Sequence, residues 1–201
     1  GLELDLQFTV DNVPVVHHDP TGLRTTGHAV RIDSQPLSEV RTWDAGRGVQ
    51  IPTLAEVLTA FDGALLNIDT KGATDDNLRR LLALLEEHDA LDRVLLAGFQ
   101  SARLRRLTTL GYRGALGMGR TDVVRRLVRT RRLTGVRRAQ IPRSLGQVRL
   151  DTAAVIGRLQ RSGVAVDFWV VNDPAEAAAL IARGADGIIT DDPAAVVPAL
   201  R

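Results

Sequence analysis

The chain has 201 residues and a mass of 21.8 kDa, with 26 Lys+Arg against 24 Asp+Glu, 44% apolar residues and no cysteine. That length suits one domain spanning residues 1–201 with a sizeable core, and the absence of cysteine excludes thiolate metal sites, cysteine nucleophiles and redox pairs. No apolar run approaches the roughly 18 to 20 residues of a membrane span, and nothing at the start reads as a signal peptide. The chain begins directly inside a strand-like run, so an upstream segment is expected, and the compartment is read as the cytoplasm with secretion as the alternative. The charge is unevenly spread: residues 1–100 hold 8 basic and 16 acidic side chains, residues 101–201 hold 18 and 8, and sixteen arginines fall between Arg103 and Arg161. That arginine-rich stretch contains only Tyr112 as an aromatic platform, so it reads as a decorated outer helical surface rather than a nucleic-acid interface. Lys71 is the only lysine in the chain.

In chain order, Leu2, Leu4 and Leu6 alternate with Glu3 and Asp5, which places both carboxylates on one face of a first strand. Only about eight residues separate it from Pro14–Asp19, too few for a parallel crossover, so the two should form an antiparallel hairpin turning at Asp11-Asn12 and returning His18 towards Glu3 and Asp5. By strand parity His17 points away and is structural. Thr53 to Glu56 has capping-box spacing before a helix, and Ala64 to Asp69 reads as a strand. Thr74 opens a helix whose Leu78, Leu81, Leu82 and Leu85 form one apolar stripe. Val94 to Phe99 is a strand, Ser101 to Gly111 a helix, and Gly114 to Met118 a strand. The next helix should turn Val123, Val124, Leu127 and Val128 inward and Arg125, Arg126, Arg129 and Arg132 outward. Ala139 to Pro142 is a weaker strand, and Asp151 is expected to cap a helix that Gly163 ends. Strands follow at Val164–Val171 and Gly187–Thr190, with helices opening at Asp173-Pro174 and Asp192-Pro193.

Alternating strands and helices at this spacing imply a parallel sheet with its helices outside. No glycine-rich dinucleotide turn, P-loop or nucleophile-elbow serine occurs. The regular β/α count favours a (β/α)8 barrel, with one unit missing.

The chemistry concentrates in three places: Glu3 and Asp5, His18, and Asn67-Ile68-Asp69-Thr70-Lys71. Asp69 and Lys71 share parity and project from one face near a strand's C-terminal end, where barrel active sites lie. Crowded carboxylates require a cation, and hard oxygen donors suit Mg²⁺ or Ca²⁺. A metal and a lysine aimed at one spot suit a phosphate, with a histidine to act as general acid or base. Each residue also has a bland reading: a strand with one wet face, or Asp69 simply paired with Lys71. The coincidence of all three favours function.

These residues, with Leu23-Arg24-Thr25-Thr26-Gly27, Ile51-Pro52-Thr53-Leu54, Trp169-Val-Val-Asn172-Asp173-Pro174 and Gly187–Pro193, resemble in order the motifs of the glycerophosphodiester phosphodiesterase family. The resemblance implies a TIM barrel that uses a divalent metal to cleave a small-molecule glycerophosphodiester to glycerol 3-phosphate and an alcohol. It also implies Glu3, Asp5 and Asp69 as metal ligands, His18 as general acid/base, Lys71 on the phosphate, Trp169 lining the substrate pocket, and Asn172 and Arg24 in support. Two departures stand out. The family's first-strand His-Arg-Gly motif is not present, so about 40 to 50 further residues carrying a first strand and helix are expected upstream, and aspartate replaces the usual glutamate at position 69. A lysophospholipase D or phospholipase C-like activity, with the arginine stretch on an anionic membrane, is one alternative; a non-catalytic phosphate or headgroup-binding domain is another.

Overall fold

A computed structural model of the chain describes residues 1–98, 100–128 and 135–200. These pack as two compact units, the first comprising Gly1–Gly98 and Arg105–Gly114, the second the remaining described residues.

The first unit begins with strand β1 (Leu2–Phe8), whose partner β2 (Pro14–Val16) runs antiparallel to it with Leu6 opposite Val16. The expected turn is present: Asn12 takes a positive φ of 62° and donates its backbone N–H to Thr9, a conformation that Asn tolerates better than most residues. Residues 20–52 form an excursion that the sequence pattern did not resolve. It holds strand β3 (Thr21–Gly22), helix α1 (Leu23–Thr26), strand β4 (His28–Arg31) and helix α2 (Leu37–Val40). Its small core of Val15, Ile32, Val40, Trp43 and Ile51 is buried, and exposed His28 stacks on the Trp43 ring at a centroid distance of 4.8 Å.

Helix α3 (Leu54–Ala60) starts on the expected Thr53–Glu56 capping box, and strand β5 (Leu66–Thr70) follows. Helix α4 (Asp75–Glu87) is capped by Thr74 with Asn77 as its reciprocal partner, and buries Leu78, Leu81, Leu82 and Leu85 as the stripe requires. Full burial of each such leucine contributes about 1.5–3 kcal/mol. Strand β6 (Val94–Ala97) completes a four-strand array ordered β6-β5-β1-β2, parallel except for β2. Phe99, expected to end β6, lies outside the described residues. Helix α5 (Ser101–Thr109) buries Leu104 and Leu107.

The second unit adds strand β7 (Ala115–Gly117), helix α6 (Arg120–Val128) and strand β8 (Val136–Ile141), which is longer than its sequence suggested. A small hairpin of β9 (Ser144–Leu145) and β10 (Val148–Arg149) was also missed. Helix α7 (Ala153–Gln160), strand β11 (Ala165–Phe168), helix α8 (Pro174–Ala182), strand β12 (Gly187–Ile188) and helix α9 (Pro193–Val196) follow. The strands are ordered β12-β11-β8-β7 and pair in parallel. Ala139, Ile141, Val166 and Phe168 join Ile156, Leu159, Ala177 and Leu180 in one buried cluster.

Two expectations fail here. In α6 the inward face is Val123, Arg126 and Leu127, because Arg126 lies three residues on from Val123; Arg126 is only 4% exposed and Val124 is 44% exposed. The long methylene stem of arginine lets it occupy an apolar position. The side chain of Val128, and Arg129 and Arg132, lie outside the described residues. In α7 the cap is Thr152, whose hydroxyl accepts from Val155, while Asp151 is buried and takes hydrogen bonds from Arg149 and Arg183. Among the described residues, no helix is long and apolar enough to cross a membrane.

Candidate active site

Parallel pairing of β1 with β5 sets Glu3 beside Asn67 and Asp5 beside Asp69. Alternation then divides each strand. Leu6 and Ile68 are fully buried on one side, while Glu3, Asp5, Asn67 and Asp69 share the other. The backbone N–H of Lys71 donates to Leu6 O at 3.1 Å, which continues the ladder one residue past β5 and fixes where the lysine departs. Its ammonium bridges the two aspartates, 2.6 Å from Asp69 Oδ2 and 3.0 Å from Asp5 Oδ1. Gly98, just past β6, borders the cluster: a Cβ there would stand 3.2 Å from Asp69 Oδ1.

The electrostatics reflect the crowding. Partial burial, then the negative charges of Asp5 and Asp69, push the Glu3 carboxyl up to about 7, against the opposing pull of Lys71 and His18. Burial disfavours the charge on Lys71, but the hydrogen bonds from its ammonium to Asp69 and Asp5 more than offset this and raise its pKa.

The hairpin delivers the histidine as expected. His17 N donates to Asp5 O at 2.9 Å, and Gln7, two residues along the same face of β1, donates its side-chain amide to His18 O at 2.9 Å. These two bonds hold the backbone of His17 and His18 against residues 5–7 of β1. Its Nδ1 lies 2.6 Å from Asp19 Oδ1, and Arg24 Nε donates to Asp19 Oδ2 at 2.6 Å. Hydrogen bonds from Arg24 and then His18 pull the Asp19 carboxyl down to about 2. An ionised carboxylate only accepts, so Nδ1 of His18 carries the proton and Nε2 remains available. Asp19 and Gln7 are the residues that the sequence reading missed; their signals were contiguity with His18 and parity with Asp5. His17 is structural as expected, 7% exposed, with Nδ1 bonded to Asp19 O and Nε2 to Thr25 Oγ1, each at 2.8 Å.

Thus Glu3, Asp5, Asp69, Lys71 and His18 are brought together, and Arg24 joins them through Asp19. The other two candidates belong to the second unit. Trp169 follows β11, half-buried, with its backbone N–H donated to Ile141 O at 3.3 Å. Asn172 accepts from the Thr190 hydroxyl and the Asp191 N–H, each at 2.9 Å, and so ties down the loop after β12.

As a place for a divalent cation, the donor set has the right chemistry, three carboxylates and an amide oxygen, all hard ligands. Among the described residues, Asn67 Oδ1 is buried with no hydrogen-bond partner, a cost that a cation or its hydrating water would remove. Among the described residues, no three Asp, Glu or His side chains stand as a ready metal-holding group; the Lys71 ammonium takes up the facing oxygens of Asp5 and Asp69.

Comparison with known proteins extends this picture to the whole chain. The model of the glycerophosphoryl diester phosphodiesterase family matches residues 1–195. A Mycobacterium tuberculosis protein named "probable glycerophosphodiester phosphodiesterase 2" is 30% identical over 94% of this chain and 75% of its own length. A glycerophosphodiester phosphodiesterase of Caldanaerobacter subterraneus is 27% identical, with 100% of this chain and 86% of that protein covered. Among solved structures, an Oleispira antarctica phosphodiesterase in complex with the product sn-glycerol-3-phosphate aligns with a TM-score of 0.81 at 23% identity, over 98% of this chain and 83% of that one. A glycerophosphodiester phosphodiesterase from Agrobacterium tumefaciens aligns at 0.79 and 20% identity, over 96% and 85%. The fold is therefore the α/β barrel type that the sequence implied, and the chain belongs to the glycerophosphoryl diester phosphodiesterase family.

Proposed function

We propose that this chain hydrolyses glycerophosphodiesters to glycerol 3-phosphate and an alcohol, with a divalent cation, Mg²⁺ or Ca²⁺, held by Glu3, Asp5 and Asp69. The observation that carries the reading is the meeting of three carboxylates and the only lysine across adjacent strands β1 and β5, with His18 folded back beside them. The glycerol 3-phosphate in the Oleispira relative supports the class of product.

When bound, such an ion would neutralise and polarise the phosphodiester. His18, with Nδ1–H committed to Asp19, presents Nε2 to take a proton from the nucleophile or give one to the leaving alcohol, a role typically worth about 10²–10⁴-fold. Arg24 anchors Asp19 from its other oxygen and keeps that imidazole oriented. Lys71 supplies positive charge to the non-bridging oxygens as negative charge develops there. Trp169 and Asn172 are assigned to the substrate side on the strength of the family resemblance.

The test is release of glycerol 3-phosphate from glycerophosphocholine. Turnover abolished by a chelator and restored by Mg²⁺ or Ca²⁺ is expected; a complete absence of release with any divalent ion would overturn the proposal.

A further inference from the structure

The arrangement of Lys71 bears on how the cation enters, and the inference rests on the assignment of Glu3, Asp5 and Asp69 as its ligands. Two of those three carboxylates, on neighbouring strands, are bridged by one ammonium at 2.6 and 3.0 Å. A divalent ion coordinated by Asp5 and Asp69 would stand beside the same two carboxylates as Nζ, and repulsion between two cations held that close drives the ammonium away. The lysine has room to leave. Its four-carbon stem can swing the ammonium without backbone movement, and its side chain is 24% exposed.

We infer that, without a divalent ion, Lys71 neutralises Asp5 and Asp69, and that the ion loads by displacing its ammonium, so that loading is the event that frees Lys71 to meet a phosphate. Lys71 is then both the stand-in for the cation and the partner of the substrate. Cation binding and presentation of the lysine are one coupled step, which makes binding of cation and phosphate mutually reinforcing.

Because the chain has a single lysine, the wild-type protein reports on itself. Acetylation of Lys71 by acetic anhydride, followed by peptide mass spectrometry to separate it from the Gly1 amine, is expected to be slow with chelator and several-fold faster at saturating Mg²⁺ or Ca²⁺. An unchanged or slower rate in protein that has bound the ion would overturn the inference. Calorimetric titration of Lys71→Met with the same ion should give about tenfold tighter binding than wild type, since no ammonium has to leave; equal or weaker binding contradicts it. Should that variant fail to fold, the labelling of wild type still decides. If wild type binds neither ion, the metal assignment itself falls and the inference with it, whereas ion binding with no change at Lys71 removes only the exchange.

Discussion

His17 and His18 are neighbours in sequence and opposites in environment. His17 is buried and bonded on both ring nitrogens, while the His18 side chain is 61% exposed and bonded on one. Replacing His17 by alanine removes two hydrogen bonds and leaves a cavity, so a loss of about 2–4 kcal/mol in urea unfolding is expected. His18→Ala should leave unfolding nearly unchanged and reduce kcat by about 10²–10⁴-fold. The reverse pattern would mean that the two roles are exchanged. Lys71→Arg is expected to lower turnover strongly with little change in stability, because a planar guanidinium fits poorly where a compact ammonium bridges two aspartates; near-normal turnover would contradict this. At this scale the alternation of leucines with Glu3 and Asp5, and the shared parity of Asp69 and Lys71, were legible because a strand's period of two needs nothing but the strand. Asp19 and Gln7 were not, since their jobs depend on where a hairpin sets the backbone of His18.

Elements whose caps are written locally were legible, and those whose roles depend on packing were not. Thr53, Thr74, Asp173 and Asp192 each accept from the backbone N–H three residues on. Thr74→Ala should therefore cost about 1 kcal/mol, read by thermal melting; no loss would remove the capping assignment. At α7 the cap moved from Asp151 to Thr152 because Asp151 is engaged by Arg149 and Arg183, a tertiary event invisible in the local pattern. Helix α6 is the sharper case. Its apolar face includes Arg126, whose Nη1 is buried without a partner among the described residues. A buried cationic group with an unpaired N–H is costly, so Arg126→Met is expected to raise stability by about 1 kcal/mol; a clear fall in melting temperature would show that the guanidinium is needed there. The excursion over residues 20–52 was unreadable as elements because its helices and strands are only two to four residues long, shorter than either hydrophobic period requires.

For the whole molecule, part of the arginine surplus is engaged in intramolecular ion pairs by side chains that remain exposed. Arg106 pairs with Asp75, Arg138 with Asp167, Arg143 with Glu176, and Arg149 and Arg183 with Asp151. Asp33, Asp75 and Asp151 are held below their ordinary values chiefly by hydrogen bonds from Arg31, Arg106 and Arg149, and Asp11 by one from Thr9. A carboxyl depressed in the folded state adds stability above its unfolded value, near 4, and loses it as pH falls. Glu3, raised to about 7, works the other way and adds stability as pH falls from 7 to about 5. The urea midpoint should therefore not fall over that range and should drop steadily below about 4; a midpoint unchanged at pH 3 would contradict these pairings. The central claim is that the carboxylate–lysine cluster on β1 and β5, returned to by His18, is where a glycerophosphodiester is cleaved. Its most direct test is ³¹P NMR of glycerol 3-phosphate release from glycerophosphocholine by wild type and Asp69→Ala, both at saturating Mg²⁺ or Ca²⁺. Release by wild type, with a loss of at least about 10²-fold in a variant that remains folded, is the predicted result, and equal release by the two would contradict it.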